Sequence, residues 1–290
     1  MSALPKISVI TPSFNSIHTI RETIESVRAQ HYPNLEHIVM DGGSKDGTVE
    51  LLKEYPHLQW VSEKDEGHYH AMNKGIGAST GEVIQILNSD DCLRPGALAA
   101  VGQAFVDHPD WDALFGDVVF VNGTNQEIYR REEAIYDYDV MRYSGVGYVI
   151  HPALFVRKSV HDRLGLYLHK RFLNAADFAF ELELGRSKCR VGHVPELLIN
   201  YRYHEFGQSA DQRIIANTYR EGAIIRREHG VPDGWRGKVL RAVYRARRQW
   251  QKLRYRGRCD LVPGTWILRK HLKHKTSFTS NIPQERFTQQ

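Results

Sequence analysis

The sequence predicts an α/β fold: a mostly parallel sheet flanked by helices, followed by a basic helical extension. Three observations predict it. Short Val/Ile-rich runs alternate with segments whose apolar residues recur every three or four positions through the first third of the chain. Each of the first four apolar runs ends in a cluster of Asp, Asn, Ser, Thr, Glu or Gly. Finally, residues 234 to 258 contain ten Lys/Arg and no acid, so the rest of a chain of net charge +5 carries −5.

The elements follow in order. KISVITPS is a short β-branched run, and Ser16 to Gln30 carries Ile20, Ile24 and Val27 at helical spacing. HIVMDGG reads as a second strand, and the stretch from Thr48 as a helix with Val49 and Leu52 on one face. LQWVSEKD is a third strand, followed by a helix around Ala71-Met72-Asn73-Lys74, a strand from Glu82 to Leu87 and a helix from Gly96 to Val106. This βαβαβαβ order predicts parallel strands with helices on both faces. Beyond Asp91 the pattern loosens. ALFGDVVFVNG and EIYRRE read as a hairpin turning at Asn122-Gly123, HPALFVRK as a strand, and Ala175 to Gly185 as a helix with Phe178, Leu182 and Gly185 on one side.

With 290 residues and 41% hydrophobic content, the chain has material for one large core plus an appendage. It has no run of about 18 apolar residues, so no membrane span is expected. The start, MSALPKISVITPSF, does not read as a secretory signal. Cys92, Cys189 and Cys259 lie far apart without a CxxC pair, which argues against a disulfide framework or structural zinc and fits a reducing cytoplasm. The string Gly75-Ile-Gly77-Ala-Ser-Thr-Gly81 has the wrong spacing for dinucleotide binding, and there is no GxxxxGK[ST] loop and no GxSxG elbow. The His68-x-His70 pair has no third ligand at zinc spacing, so His68, His70 and His151 read as surface or hydrogen-bonded histidines rather than zinc ligands.

In parallel sheets ligands sit outside the carboxyl ends of the strands. That rule brings Thr11-Pro12-Ser13-Phe14-Asn15, Asp41-Gly42-Gly43-Ser44, Asp65-Glu66-Gly67 and Asn88-Ser89-Asp90-Asp91 to one rim. Asp90 and Asp91 are adjacent like charges with two readings: Asp91 helps start the helix near Pro95-Gly96, or the pair holds a hard cation that carries a phosphorylated ligand. Asp41 is an acceptor for a base N–H or ribose hydroxyl, or part of a turn in which Ser44 or Asp46 caps the next helix. Asp177 opens a helix, where the dipole favours a carboxylate in any case.

In this order PKISVITPSFN, HIVMDGGSKDGT, SEKDEGHYHAMNKGIGASTGE and QILNSDD resemble the donor-binding half of family 2 glycosyltransferases with the GT-A (Rossmann-like) fold, over roughly residues 4 to 210. The resemblance implies an inverting, bacterial surface-polysaccharide type of enzyme. Sugar would move from a nucleotide-sugar, UDP-linked in the commonest case, to a glycan or lipid-linked hydroxyl. It implies that Thr11, Pro12 and Asn15 touch the nucleotide, that Asp41 contacts the base, and that Asp65, Asn73 and Lys74 line the same pocket. It makes Asp90 and Asp91 a DXD-type motif, with Asp91 the direct ligand of Mn²⁺ or Mg²⁺ and Asp90 nearer the ribose. Asp177 falls where the family places its base, with Glu181 or Glu183 as fallback, and His204 as a late contact to metal or diphosphate. Relatives with this segment usually read GxYDAMNKG, whereas this chain has His70 in place of the aspartate. Rival readings are a sugar nucleotidyltransferase, whose Gly-rich basic loop TPSFNS does not supply, and a membrane-docked binding module without turnover.

The expected division is a catalytic domain over 1–230 and a basic amphipathic extension over 231–290. Val239, Val243, Ala246, Trp250 and Leu253 form one helical stripe, with Arg241, Arg245, Arg248 and Lys252 as a neighbouring cationic face. Two readings follow: an anionic membrane surface met through 236–258 on the inner face of the cell membrane, or a stripe packed on the catalytic domain or a second subunit with solvated arginines. No nucleic-acid module accompanies the charge.

Overall fold

The computed structural model describes residues 3–203 and 211–257. Its first half runs β1 (Ile7–Ser13), α1 (Ile20–Arg28), β2 (Leu35–Asp41), α2 (Thr48–Leu52), β3 (Gln59–Ser62), α3 (His68–Ala78), β4 (Val83–Ile86), β5 (Cys92–Leu93) and α4 (Ala97–Asp107). Strands β3, β2, β1 and β4 lie side by side and parallel, as the alternating pattern predicts. Period-2 alternation sends successive side chains to opposite faces. Ile10, Ile38, Met40, Ile84 and Ile86 therefore join one core with Met72 and Ile76 of α3. Val9 and Val83 join another with Val27, Leu98, Val101 and Phe105. Helix α3 sits tight on β1, because a Cβ on Gly75 would overlap the Ile10 side chain.

The second half is mixed rather than parallel. It comprises β6 (Ala113–Val121), β7 (Glu127–Arg131), α5 (Tyr138–Ser144), β8 (Leu154–Arg157), α6 (Lys158–Leu164), α7 (Ala176–Arg186), β9 (Val191–Arg202), α8 (Gln212–Glu228) and α9 (Gly234–Arg256). Strand β8 runs antiparallel to β4 and β6, β9 runs parallel to β6, and β5 and β7 are short antiparallel additions. The β6–β7 hairpin forms where expected but not as a two-residue Asn-Gly turn. Asn122 Oδ1 accepts from Thr124 N and Gln126 N, each at 2.9 Å, and Asn125, not Gly123, adopts the left-handed conformation at φ 61.

Helix α9 does not pack its apolar stripe on the catalytic domain, and part of the expected cationic face, Arg248 and Lys252, is turned inward. Arg248 and Lys252 are buried on Glu133, Arg256 pairs with Asp117, and Arg247 pairs with Asp137 at 2.6 Å. Arg245 Nε donates to the Ser144 carbonyl at 2.9 Å, and Tyr244 stacks on Tyr143. The apolar stripe faces outward, with Trp250 55% exposed. The cause is electrostatic: Asp117 and Glu133 are buried, and an unpaired buried carboxylate is far more costly than an exposed Val or Leu.

Candidate functional site

Four strand ends are tied into one rim. Register sets Ser13 beside Asp41 and Asp41 beside Ser62. Gly42 N donates to the Ser13 carbonyl at 2.8 Å, Glu63 N to that of Asp41 at 2.9 Å, and Leu87 N to that of Ile10 at 2.9 Å. Asn15 holds φ 50, a left-handed value Asn tolerates. There its N–H donates to Ser44 Oγ at 2.7 Å and its Oδ1 accepts from Lys45 N at 3.1 Å. Ser16 and Ser89 share a hydroxyl hydrogen bond of 2.8 Å, joining the first ending to the fourth.

Asp41 is buried, and its turn is real. Oδ2 accepts from Gly43 N at 3.1 Å, Ser44 N at 2.9 Å and Ser62 Oγ at 2.6 Å, while Oδ1 accepts from Ser44 Oγ. Asp46, rather than Ser44, serves the start of α2, accepting from Thr48 N at 3.1 Å. The Thr11 hydroxyl points inward to His37 Nε2 at 3.0 Å, and burial followed by His57 pushes that imidazole down to about 3. Pro12 is buried too, so these two reach the rim through backbone. Phe14 stands at the surface beside the exposed Asn15, with its ring 61% exposed. It lies against Gly42, where an added Cβ would meet Phe14 Cδ2 at 3.2 Å and Asp65 Oδ2 at 3.4 Å. Phe14 was missed in the sequence because a lone aromatic in a loop has no periodicity to mark it.

Asp65 lies in this wall, its Oδ1 paired with Lys74 Nζ and 3.6 Å from His70 Nδ1. Lys74 also reaches Glu63 at 3.0 Å. His70 Nδ1 accepts from Glu66 N at 3.1 Å and its ring stacks on His169 at 5.0 Å. Asn73 is turned elsewhere: Oδ1 accepts from Tyr167 N and Nδ2 donates to Tyr167 O, each at 2.9 Å. Its side chain fastens the loop before α7 to α3 and does not reach the pocket side of the helix.

The adjacent acids differ sharply. Asp91 is 1% exposed, with Oδ1 accepting from Arg202 N at 2.9 Å and Oδ2 from Asn88 Nδ2 at 2.9 Å. Its backbone is held as well, by Thr23 Oγ1 on its carbonyl at 2.8 Å. Burial, and after it the Asp90 charge, push the Asp91 carboxyl well above the usual range. Asp90 is half-buried at the rim, and its carbonyl accepts from Arg202 Nε at 3.0 Å. Arg202, invisible to motif reading, clamps both acids and pairs with Glu22. Two hard-oxygen carboxylates at one strand end suit a divalent cation that takes its remaining ligands from phosphate and water. Among the described residues no group of three or more His, Cys, Asp and Glu is placed to hold a metal unaided. His204 lies outside the described residues.

Asp177 opens α7, and its Oδ1 accepts from Tyr69 Oη and from Phe178 N, each at 2.8 Å. Tyr69 comes from α3, which starts at the third strand's ending. Burial, then Asp177, raise the Tyr69 phenol well above its usual range, so it stays a donor. Of the fallback bases, Glu181 is buried, and burial followed by the Asp177 charge pushes its carboxyl well above the usual range. Glu183 accepts from Ser187 Oγ at 3.0 Å and pairs with Arg186 at 2.5 Å, within its own helix. Glu221 of α8 fixes the approach to Asp177, accepting from Leu173 N at 3.0 Å and Asn174 N at 2.9 Å.

The chain is similar in sequence to an uncharacterised glycosyltransferase of Mycobacterium tuberculosis, 46% identical over 94 residues; the match spans 31% of this chain and 36% of that protein. A PGL/p-HBAD biosynthesis glycosyltransferase of Mycobacterium bovis is 26% identical over 257 residues, 87% of this chain and 93% of the relative. Among solved structures, S. aureus TarS aligns with TM-score 0.56 at 18% identity, over 76% of this chain and 39% of TarS. The mannosyltransferase PcManGT from Pyrobaculum calidifontis, solved with GDP-Man and Mn²⁺, aligns with TM-score 0.55 at 17% identity, over 97% of this chain and 77% of the other. At such identities the structural likeness shows the fold, a GT-A architecture. The model of the family described as glycosyl transferase family 2 matches residues 8–165, more than half of the sequence, and the chain belongs to that family.

Proposed function

We propose that this chain is an inverting glycosyltransferase that moves a sugar from a nucleotide-sugar, UDP-linked, to a hydroxyl of a glycan or lipid-linked oligosaccharide. The observation that carries the reading is that α3, which starts at the ending of the third strand on the rim, carries the Tyr69 phenol that donates to Asp177. Residues 1–230 form the transferase domain and 231–290 an extension, with an anionic membrane surface as its partner where the acceptor is lipid-linked.

In this reading the base lies on Phe14, whose exposed ring offers a stacking face. Its N–H meets Asp41 Oδ1 once the Ser44 hydroxyl rotates away, with Asn15 and the Thr11-Pro12 backbone alongside. Asp65, held by Lys74, closes the pocket wall. We assign the cation to Asp90 and give Asp91 the supporting place, the reverse of the motif-based order, because both Asp91 oxygens already accept inside the protein. A bound Mn²⁺ or Mg²⁺ would offset the charge developing on the departing diphosphate. Asp177 Oδ2 takes the proton of the acceptor hydroxyl as that oxygen attacks the anomeric carbon. The bond from that carbon to the diphosphate oxygen breaks, and the electron pair leaves with the diphosphate.

The test is thermal-shift binding of UDP, GDP, CDP and dTDP with and without Mn²⁺, followed by transfer assays with the nucleotide that binds. One nucleotide should stabilise the protein in a Mn²⁺-dependent way, and Asp177→Asn should bind it but not transfer. Binding without transfer by the wild type, across nucleotide-sugars and acceptors, would favour the binding-module reading instead.

A further inference from the structure

The packing of α9 leaves an unusual surface. Gly237, Arg248, Gln251 and Lys252 are buried, so the acid-binding side of the helix is committed to the domain. Helical spacing then places Trp235, Val239, Val243, Ala246, Trp250 and Leu253 within an arc of about 80° on the opposite side. All six are exposed. Scattered exposed apolar residues are ordinary, but a contiguous stripe of them marks a contact surface. Half of the twelve exposed large hydrophobic residues among the described residues belong to this one helix.

The stripe is bordered by cations on both sides. Helical spacing sets Arg236 and Arg254 along one edge and Lys238 along the other, all three exposed, whereas Arg247 and Arg245 on the same edges are held by Asp137 and the Ser144 carbonyl. Arg254 lies 5.3 Å from the Trp250 ring and Arg236 lies 5.6 Å from that of Trp235. Between 234 and 257 there is no acid. A second copy docked stripe to stripe would oppose cationic borders without a compensating carboxylate from either helix. An anionic lipid interface accepts both components, with apolar side chains among the acyl chains and Arg/Lys heads among the phosphates.

We propose that the outward face of α9 lies in the interface of an anionic bilayer, with the helix parallel to the surface and the domain held above it by the Glu133, Asp137 and Asp117 pairs. This deepens the membrane part of the proposed function and rests on it. The cations that serve are the two borders, not the Arg248/Lys252 side expected from the sequence.

The experiment is co-sedimentation of the full chain with phosphatidylcholine vesicles and with vesicles containing about one third phosphatidylglycerol. Neither sugar nor nucleotide is added, so the outcome is independent of the transfer reaction. Wild type should partition at least about tenfold more strongly into the anionic vesicles, with Trp fluorescence shifting to the blue and binding weakening from about 0.1 M to about 0.5 M salt. Val243→Ser/Trp250→Ser/Leu253→Ser should lose about tenfold or more of the binding, and Arg236→Gln/Lys238→Gln/Arg254→Gln should lose preference for the anionic lipid. These substitutions touch no buried residue, so melting temperature and nucleotide binding should stay at wild-type values and exclude misfolding. The proposal is overturned by absence of vesicle binding in the folded wild type. It is equally overturned by stripe variants that bind as wild type does, or by a wild-type dimer that the Ser variants dissolve while leaving vesicle binding intact.

Discussion

Tyr69 Oη and Phe178 N converge on a single oxygen of Asp177, Oδ1, from two different helices, each at 2.8 Å. The two donors fix the rotation of the carboxylate, and in the proposed reaction Oδ2 is the oxygen that takes the acceptor's proton. If Asp177 is the base, its replacement removes the chemistry and loss of the phenol loosens its aim. Asp177→Asn should lower kcat by about 10² to 10⁴-fold. Tyr69→Phe should lower kcat by about tenfold with the donor KM little changed, the sign of a group acting in the transition state. A Tyr69→Phe enzyme with unchanged kcat would remove the positioning role.

Phe14 and Gly42 test the base pocket from two sides. Stacking a base on an aromatic ring contributes roughly 1–3 kcal/mol, so Phe14→Ala should weaken nucleotide binding by about 5- to 150-fold in isothermal titration. The ring is 61% exposed, and the melting temperature should hardly move. Gly42→Ala puts a methyl 3.2 Å from Phe14 Cδ2, close enough that the ring must shift. A smaller loss of affinity is expected, and the double variant should be less than additive because both changes act on one ring.

What could be read from sequence divides along range. The Val/Ile runs of β1, β2 and β4 and the helical spacing of α1 announced themselves, and with them the rim where Asp41 and Asp90-Asp91 stand. Contacts made across the fold did not. Arg202 lies 111 residues from Asp91 and meets it because β9 and β5 pair as Asn200 with Cys92. Asn73 and Lys74 are neighbours in sequence, yet about 100° apart on α3, so one fastens a loop while the other joins Asp65. The orientation of α9 was illegible for a different reason. An apolar stripe predicts its own burial, but the surface awaiting this helix holds Asp117, Glu133 and Asp137, and carboxylates out of water select arginines.

Asp90 and Asp91 should separate cleanly. Asp90→Ala should lose the Mn²⁺-dependent part of nucleotide stabilisation. Asp91→Ala leaves Arg202 N and Asn88 Nδ2 without their acceptor in a buried place. An unsatisfied buried donor costs about 1–3 kcal/mol, so the melting temperature should fall by roughly 5 °C or more. The opposite pattern, an Asp90→Ala that keeps the Mn²⁺-dependent part and a normally stable Asp91→Ala that ignores Mn²⁺, would restore Asp91 as the direct ligand.

Glu36 supplies a stability prediction far from the rim, at the amino-terminal end of β2. Burial would raise its carboxyl, but hydrogen bonds from Ser8 Oγ, Thr80 N at 2.9 Å and Thr80 Oγ1 at 2.8 Å, with Lys6 nearby, outweigh it and bring the group down to about 2. A carboxylate depressed on folding adds stability above its unfolded value of 4.5, and that stability is lost as pH falls from there through about 2. The loss is on the order of 3 kcal/mol at full protonation. Wild type should therefore lose melting temperature between about pH 5 and pH 2.5 more steeply than Glu36→Gln, which lacks this titration and starts lower at neutral pH. Because Glu36 touches no residue of the rim, Glu36→Gln measured at a temperature where it is folded should keep nucleotide affinity and kcat within about twofold of wild type. Parallel acid-melting curves for the two proteins would show that this carboxylate gains nothing from its three donors.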